Sequence, residues 1–320
     1  MLRIDRLFSG TALAASLLTA ACSAQPTAAP AWQVDALEAA AVQLEENYIY
    51  EARGHALAEM LRGSQAQYVD IAVRADFARA VTRDLYAEVS DAHLRVFHEP
   101  EAGREVESDR ETPDPTRAAR LQNCRTAPVV HDRLAGDVGY VTVPRFFGGE
   151  DYVAALDAAV AAHNDASAMI LDLRNNCGGG PSILRHLATY FFSEPTHLTS
   201  TEMRGEAPGE RWTLPDVPGP RFVDRPLIIL TNGNTFSAGE SFTFGMKVTG
   251  RALTAGETTG GGGHFGDTVR LTPDFTLFVP VGRTFDPRTG EGWENTGIAP
   301  DIAATSDDAL EAALDYLAGL

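Results

Sequence analysis

Three short strand-like runs, Val138 to Val143, Ala168 to Leu173 and Pro226 to Thr231, alternate with helix-like runs at Tyr152 to His163 and Pro181 to Phe192. After Ser237 a further helix is expected to about Lys247. This alternation leaves few folds open. A strand that pairs in parallel with its predecessor needs a crossover to bring the chain back to the same end of the sheet, and a helix is the usual one. The pattern therefore predicts a parallel α/β core. Residues 252 to 300 are glycine-rich, with short β-like runs at Thr268 to Leu271 and Thr276 to Val281, and Asp307 to Ala318 reads as a last helix. No repeat of 20 to 50 residues is visible.

Upstream the grammar differs. Val34, Leu37, Ala41, Leu44 and Tyr48 recur at three- and four-residue spacing, and Ile71, Val73, Phe77, Val81 and Leu85 do the same. Residues 33–98 are thus expected to form a small helical subdomain of about three helices. Residues 99–126 begin with a highly charged stretch holding three prolines and read as a linker or exposed loop, leaving 127–320 for the α/β core. Residues 1–22 read as a signal peptide: Arg3 and Arg6 precede an apolar run, Leu13 to Ala21, too short to span a bilayer. Leu18-Thr19-Ala20-Ala21-Cys22 is similar to a bacterial lipobox, with Thr19 where leucine is commonest. Cys22 would then carry a lipid and anchor the chain in a bacterial membrane; the other reading is an ordinary secretory signal. Both imply export, to the periplasm or its membrane surface. Residues 23–32 are rich in alanine and proline and read as a tether.

Charge narrows the partners. Lys+Arg number 26 against 44 Asp+Glu, a formal net charge of -18, which argues against nucleic acid or anionic lipid head groups as the main partner. Three cysteines, Cys22, Cys124 and Cys177, are too few and too scattered for a disulfide scaffold or a CxxC zinc site, and no metal site is expected. In an oxidising compartment Cys124 and Cys177 could pair; two buried free thiols is the other reading.

Two segments bear chemistry. In PLIILTNGNTFSAGE, residues 226–240, a buried strand runs into a turn and Ser237 opens a helix. A serine there lies near free backbone N–H groups that suit a developing oxyanion. Ser237 with Glu240 is equally an S-x-x-E capping box, and position 235 is Thr, so this is no GxSxG elbow. In MILDLRNNCGGGP, residues 169–181, three glycines follow a strand and let backbone approach a ligand closely. No phosphate motif matches there, and the sole lysine, Lys247, is ten residues beyond Ser237, about 15 Å along a helix, which excludes a Ser-Lys dyad within that helix. None of the eight histidines stands out as a base from its local sequence.

TFSAGE, DLRNNCGGG, SDAHLRV, GETTGGGG and ENTGIAPD, taken together, resemble the tail-specific (C-terminal processing) serine protease family. The resemblance is closer to its branch with the tricorn protease core and the interphotoreceptor retinoid-binding protein repeats, and covers about residues 33 to 305. It implies a ClpP/crotonase-like α/β core with a largely parallel sheet behind the helical subdomain. It implies a serine endopeptidase acting on unfolded or flexible polypeptides, without metal or cofactor. The dyad branch places its lysine 25 residues after the serine, which here is Gly262. The other branch implies Ser237 as nucleophile, His93 as base and then acid, and Glu294 as the group that orients the imidazole, directly or through another polar group. The oxyanion donors would be the N–H of Ala238 and of Gly178 or Gly179. Ala92 stands where the tricorn core has a serine, so Ser90 or Asp91 would have to replace that member. Cys177 stands where the family often has Gly or Pro, and a bond to Cys124 would stiffen the oxyanion turn. The 99–126 stretch is too short for a PDZ domain. Two other readings stay open: the resemblance to the retinoid-binding repeats also implies a non-catalytic relative of the same fold carrying an apolar ligand or peptide, and the residues allow an esterase using Ser237, Glu257 and His264.

Overall fold

The computed structural model describes residues 29–100 and 122–320; the expected signal peptide with Cys22 and most of the charged stretch lie outside the described residues. Helices α1 (Ala31–Asn47), α2 (Glu51–Gly63) and α3 (Arg74–Val89) come first. Strands β1 (Arg95–His98), β2 (His131–Leu134) and β3 (Val138–Thr142) follow. Then come α4 (Glu150–Ala162), β4 (Ala168–Asp172), α5 (Pro181–Thr189), β5 (His197–Met203), β6 (Gly209–Trp212) and β7 (Leu227–Thr231). The chain ends with α6 (Ala238–Val248), β8 (Leu253–Gly256), β9 (His264–Thr272), β10 (Phe275–Phe285), β11 (Ile302–Ala303) and α7 (Ala309–Ala318).

One sheet has the order β11-β8-β7-β4-β3-β2 and is parallel except for β2. Every residue of β4 and β7 is buried. The cause is cover on both faces. Met169, Leu171 and Ile229 pack under α4, α5 and α6, in one core with Leu156, Leu184, Leu187 and Phe242. Their neighbours Ile170, Ile228 and Leu230 point the other way, onto Ala309 and Ala313 of α7. Successive strand residues face opposite sides, so two covered faces require an unbroken apolar run.

A second, antiparallel sheet runs β1-β10-β5-β6, with β9 also on β10. The helical segment has no core separate from it. Leu37, Leu44, Phe77 and Leu85 share one cluster with Phe275, Leu277 and Val279 of β10. Trp32 stacks on Phe275 at 5.7 Å between ring centroids and meets Phe77 edge-on at 5.1 Å. Strand β1 leaves α3 through residues 90–94 and pairs with β10, Arg95 opposite Phe278 and Phe97 opposite Thr276. That pairing holds the 90–94 turn, with His93, against the α/β core.

Candidate active site

Between β7 and α6 the chain turns sharply. Thr235 Oγ1 donates to Leu173 O at 2.8 Å, and Phe236 N–H donates to Asn176 O at 3.0 Å, so the turn is fixed to the end of β4. Ser237 follows with φ 55° and ψ −117°. L-residues seldom adopt this conformation, and holding one there costs about 1–3 kcal/mol. It is the strand-to-helix bend that a GxSxG elbow makes, built here with Thr235 and Gly239. A Cβ on Gly239 would lie 2.6 Å from Asn176 Oδ1, so the helix start admits only glycine there.

The S-x-x-E spacing serves two purposes. Ser237 N–H donates to Glu240 Oε2 at 2.8 Å. The same fully buried carboxylate accepts Gly262 N–H at 2.8 Å, Gly261 N–H at 2.6 Å and the Thr259 hydroxyl at 2.6 Å. Burial pushes Glu240 up, while these donors pull it back toward the carboxylate. Glu240 thus fastens the glycine-rich loop 259–262 to the Ser237 turn.

The glycine turn after β4 lies against Ser237. A Cβ on Gly178 (φ 86°) would come within 2.9 Å of Ser237 Cβ and 3.3 Å of Ala238 N. Gly179 (φ 141°) passes so close to Phe146 that a Cβ would sit 2.3 Å from its carbonyl carbon. Gly178 N–H is engaged by Asn176 Oδ1 at 2.8 Å. Asn176, whose role gave no signal in the sequence, also donates through Nδ2 to Val143 O at 2.6 Å. A disulfide joins Cys177, the residue before the turn, to Cys124, with 6.1 Å between Cα atoms.

His93 lies over the ring of Phe236, the residue before Ser237, at 4.6 Å between centroids, and near Phe278 at 5.5 Å. Burial pushes its pKa down to about 4 and the nearby His264 adds to the fall, against the pull of Asp91. The imidazole is therefore neutral at neutral pH and able to accept a proton. Its Nδ1 is buried without a hydrogen-bond partner. Among the described residues no hydrogen bond joins Ser237 to His93; in unliganded sites such bonds are often long and tighten with substrate.

Behind His93 lies a buried polar network. Asp91 accepts His93 N–H on Oδ1 at 3.0 Å. Its Oδ2 takes the Tyr48 hydroxyl at 3.1 Å and His264 Nδ1 at 2.7 Å. Burial pushes the Asp91 carboxyl up, but the hydrogen bond and charge of His264, with those of His93, hold it below its usual value. His264 Nε2 lies 3.4 Å from the Tyr50 hydroxyl. Glu294 Oε2 accepts the N–H of Gly263 at 2.6 Å and of His264 at 2.8 Å, and stands 3.8 Å from His264 Nδ1. Its Oε1 is buried with no partner, and burial raises its pKa to about 7. Asp91, His264 and Glu294 offer ligand atoms within 4.8 Å of one another, the one such cluster among the described residues, yet Asp91 Oδ2, His264 Nδ1 and Glu294 Oε2 are already occupied by these hydrogen bonds.

Other polar candidates are engaged elsewhere. Lys247 Nζ bonds Asp301 Oδ1 at 2.5 Å and Ala299 O at 3.0 Å. Glu257 accepts Ser306 N–H at 2.9 Å and Gly233 N–H at 3.3 Å. A cavity of about 390 Å³ opens beside Ser237; Gly179, Ala238, Arg211, Ser241 and His264 are among its walls. A hydroxyl on a strained turn, N–H groups beside it and a neutral imidazole across from it are the parts of an acyl-transfer site.

Residues 137–304 match the model of peptidase family S41. A carboxyl-terminal-processing peptidase of the Arabidopsis thaliana chloroplast is 29% identical over 204 residues, covering 62% of this chain and 38% of that protein. The chain thus aligns with well under half the length of that relative. Among solved structures, a lipoprotein from Streptococcus agalactiae superposes with a TM-score of 0.64 at 16% identity, over 90% of this chain and 96% of that one. The photosystem II D1 C-terminal processing protease superposes with a TM-score of 0.58 at 17% identity, over 87% and 94%. At these identities the superpositions speak for the fold.

Proposed function

Because the chain belongs to peptidase family S41, we propose that it is a serine endopeptidase that cuts unfolded or flexible polypeptides with Ser237, His93 and Glu294. Ser237 Oγ attacks the scissile carbonyl carbon while His93 takes its proton. The tetrahedral oxyanion is met by Ala238 N–H and by Gly179 N–H, since Gly178 N–H is engaged by Asn176. The C–N bond then breaks, and the imidazolium gives its proton to the leaving amine. Water, deprotonated by His93, cleaves the acyl-enzyme, and the proton returns to Ser237. Glu294 acts on His93 through the 263–264 backbone, His264 and Asp91, whose Oδ1 accepts the His93 backbone N–H.

The observation that carries this reading is the Ser237 turn itself: a strained serine with Gly178 against its Cβ and the His93 ring stacked on the preceding residue. The test is labelling of Ser237 by an organophosphonate, with hydrolysis of reduced casein by wild type, Ser237→Ala and His93→Ala. Cleavage should fall by about three orders of magnitude or more in each variant. Cleavage retained in Ser237→Ala would overturn the reading; no labelling, with tight binding of an apolar ligand, would make the chain a carrier. Export, with lipid attachment at Cys22, is proposed from the sequence alone. Incorporation of labelled palmitate that persists in Cys22→Ala would remove the anchor.

A further inference from the structure

Arg211 stands in the wall of the cavity beside Ser237. It lies on β6, the edge strand of the antiparallel sheet. Its Nη1 donates to Ser241 Oγ at 2.9 Å. Ser241 is one helical turn beyond Ser237 on α6, about 6 Å along the axis, so the guanidinium is tethered close to the nucleophile. Among the described residues no carboxylate pairs with it. Glu210, its neighbour in sequence, accepts Trp212 Nε1–H at 2.9 Å. The charge that acts on Arg211 is a like one, that of Arg185, whose Nε donates to Trp212 O at 2.6 Å.

An arginine keeps its charge at any working pH and carries five N–H donors in a flat fork that fits a carboxylate. Burying such a cation unpaired is costly, and the cost falls when a carboxylate enters. Arg211 is half-buried, and burial and Arg185 both act to lower its pKa. Apart from His264, the rest of the wall is apolar or uncharged, including Leu184, Phe265, Thr284 and Trp293. A hydrocarbon stem ending in an acid suits that lining.

We infer that Arg211 selects polypeptides bearing a carboxylate within a residue or two of the scissile bond, held as a charge-assisted pair in the cavity that adjoins Ser237. The inference rests on Ser237 being the nucleophile. Two sources supply that group: an Asp or Glu side chain next to the cleaved bond, or the α-carboxylate of a chain end just beyond it.

Two matched peptide pairs separate them. One pair differs only as Glu against Gln beside the scissile bond; the other ends in a free carboxylate or a carboxamide. A hydrogen-bonded charged pair predicts that wild type prefers the acid in one of the two pairs by about tenfold or more in kcat/KM, mostly through KM. In Arg211→Gln that ratio should collapse toward one, and Arg211→Lys should recover part of it. Ser241→Ala, which unties the guanidinium without removing its charge, should lower the ratio and covers the case in which Arg211→Gln does not fold. A wild-type ratio near one in both pairs, with Ser237 still labelled and peptides still cut, overturns the role of Arg211 alone. A preference that survives Arg211→Gln overturns it too. No labelling and no turnover of any peptide brings down the Ser237 reading and this inference together.

Discussion

A Cβ on Gly262 would stand 2.7 Å from His93 Cε1 and 2.5 Å from the Phe236 ring. A side chain at position 262 and the His93 imidazole therefore compete for one space. Position 262 is where the dyad branch of the resembling family would place its lysine. With His93 where it is, position 262 has no room for a lysine. Gly262→Ala is expected to push His93 off Phe236, lowering kcat/KM about a hundredfold or more and costing about 1–3 kcal/mol by overpacking. Steady-state kinetics and urea melts check it; wild-type activity in Gly262→Ala would show that His93 need not occupy that space.

Ser237→Gly should be more stable than Ser237→Ala, although on the proposed assignment both should be inactive. The backbone at φ 55° and ψ −117° strains any residue with a Cβ, and glycine adopts it freely. Relief of strain, less the added entropy of an unfolded glycine, leaves about 1 kcal/mol in favour of Ser237→Gly. Thermal melts of the two variants compared in one buffer decide it, and equal midpoints would mean the turn stores no strain.

Glu294 makes stability fall with rising pH. Its carboxyl titrates at about 7 in the fold against an ordinary value of 4.5. The folded state thus holds a proton that the unfolded state has lost. The contribution is fully present below about pH 4.5 and is gone once pH has risen past about 7. Glu294→Gln keeps an acceptor for the N–H groups of Gly263 and His264 but carries no charge. Relative to wild type it should gain stability between those limits, by up to about 3 kcal/mol. His93 contributes with the opposite sign, present above about 6.5 and lost as pH falls through about 4, and being common to both proteins it largely cancels. Denaturant melts at pH 5 and pH 8 read the difference; a constant gap between the two proteins would place the Glu294 pKa near its ordinary value.

Reduction should weaken both the fold and the oxyanion turn. The Cys124–Cys177 bond closes a span of 53 residues, worth about 4 kcal/mol through the unfolded chain. It also leads directly into Gly178 and Gly179. Dithiothreitol, or Cys124→Ser with Cys177→Ser, is expected to lower the melting midpoint and to reduce kcat more than KM. Unchanged kinetics in the reduced protein would free the turn from any dependence on the bond.

Much of the α/β half was legible because its strands carry their own signal. The runs at 168–173 and 226–231 are apolar throughout, as burial on both faces requires, and the structure has β4 and β7 there. Of the antiparallel sheet only β9 and β10 were legible, from the β-like runs at 268–271 and 276–281. Strands β1 and β6 have four residues each, too few for a period to show, and β5 reads HLTSTEM, largely polar though its middle is buried. The glycine turn and the Ser237 turn could be located, since each follows a visible strand. The network behind His93 could not. Asp91 and His264 meet across 173 residues of sequence, and nothing local to either announces the other. Glu240 was visible only as a helix cap; its hold on residues 259–262 appears once the chain is folded.

The pairing of β1 with β10 has a consequence in time. A ribosome delivers His93 early and Phe275–Phe285 late, so the residue proposed as base waits, through most of synthesis, for the strand that will carry it to Ser237. A growing chain that has already emerged past Ser237 still lacks Glu294 and the strand that docks His93. On the proposed assignment, Ser237 and His93 come together only after β10 has been made, so assembly of the site is a late step of folding.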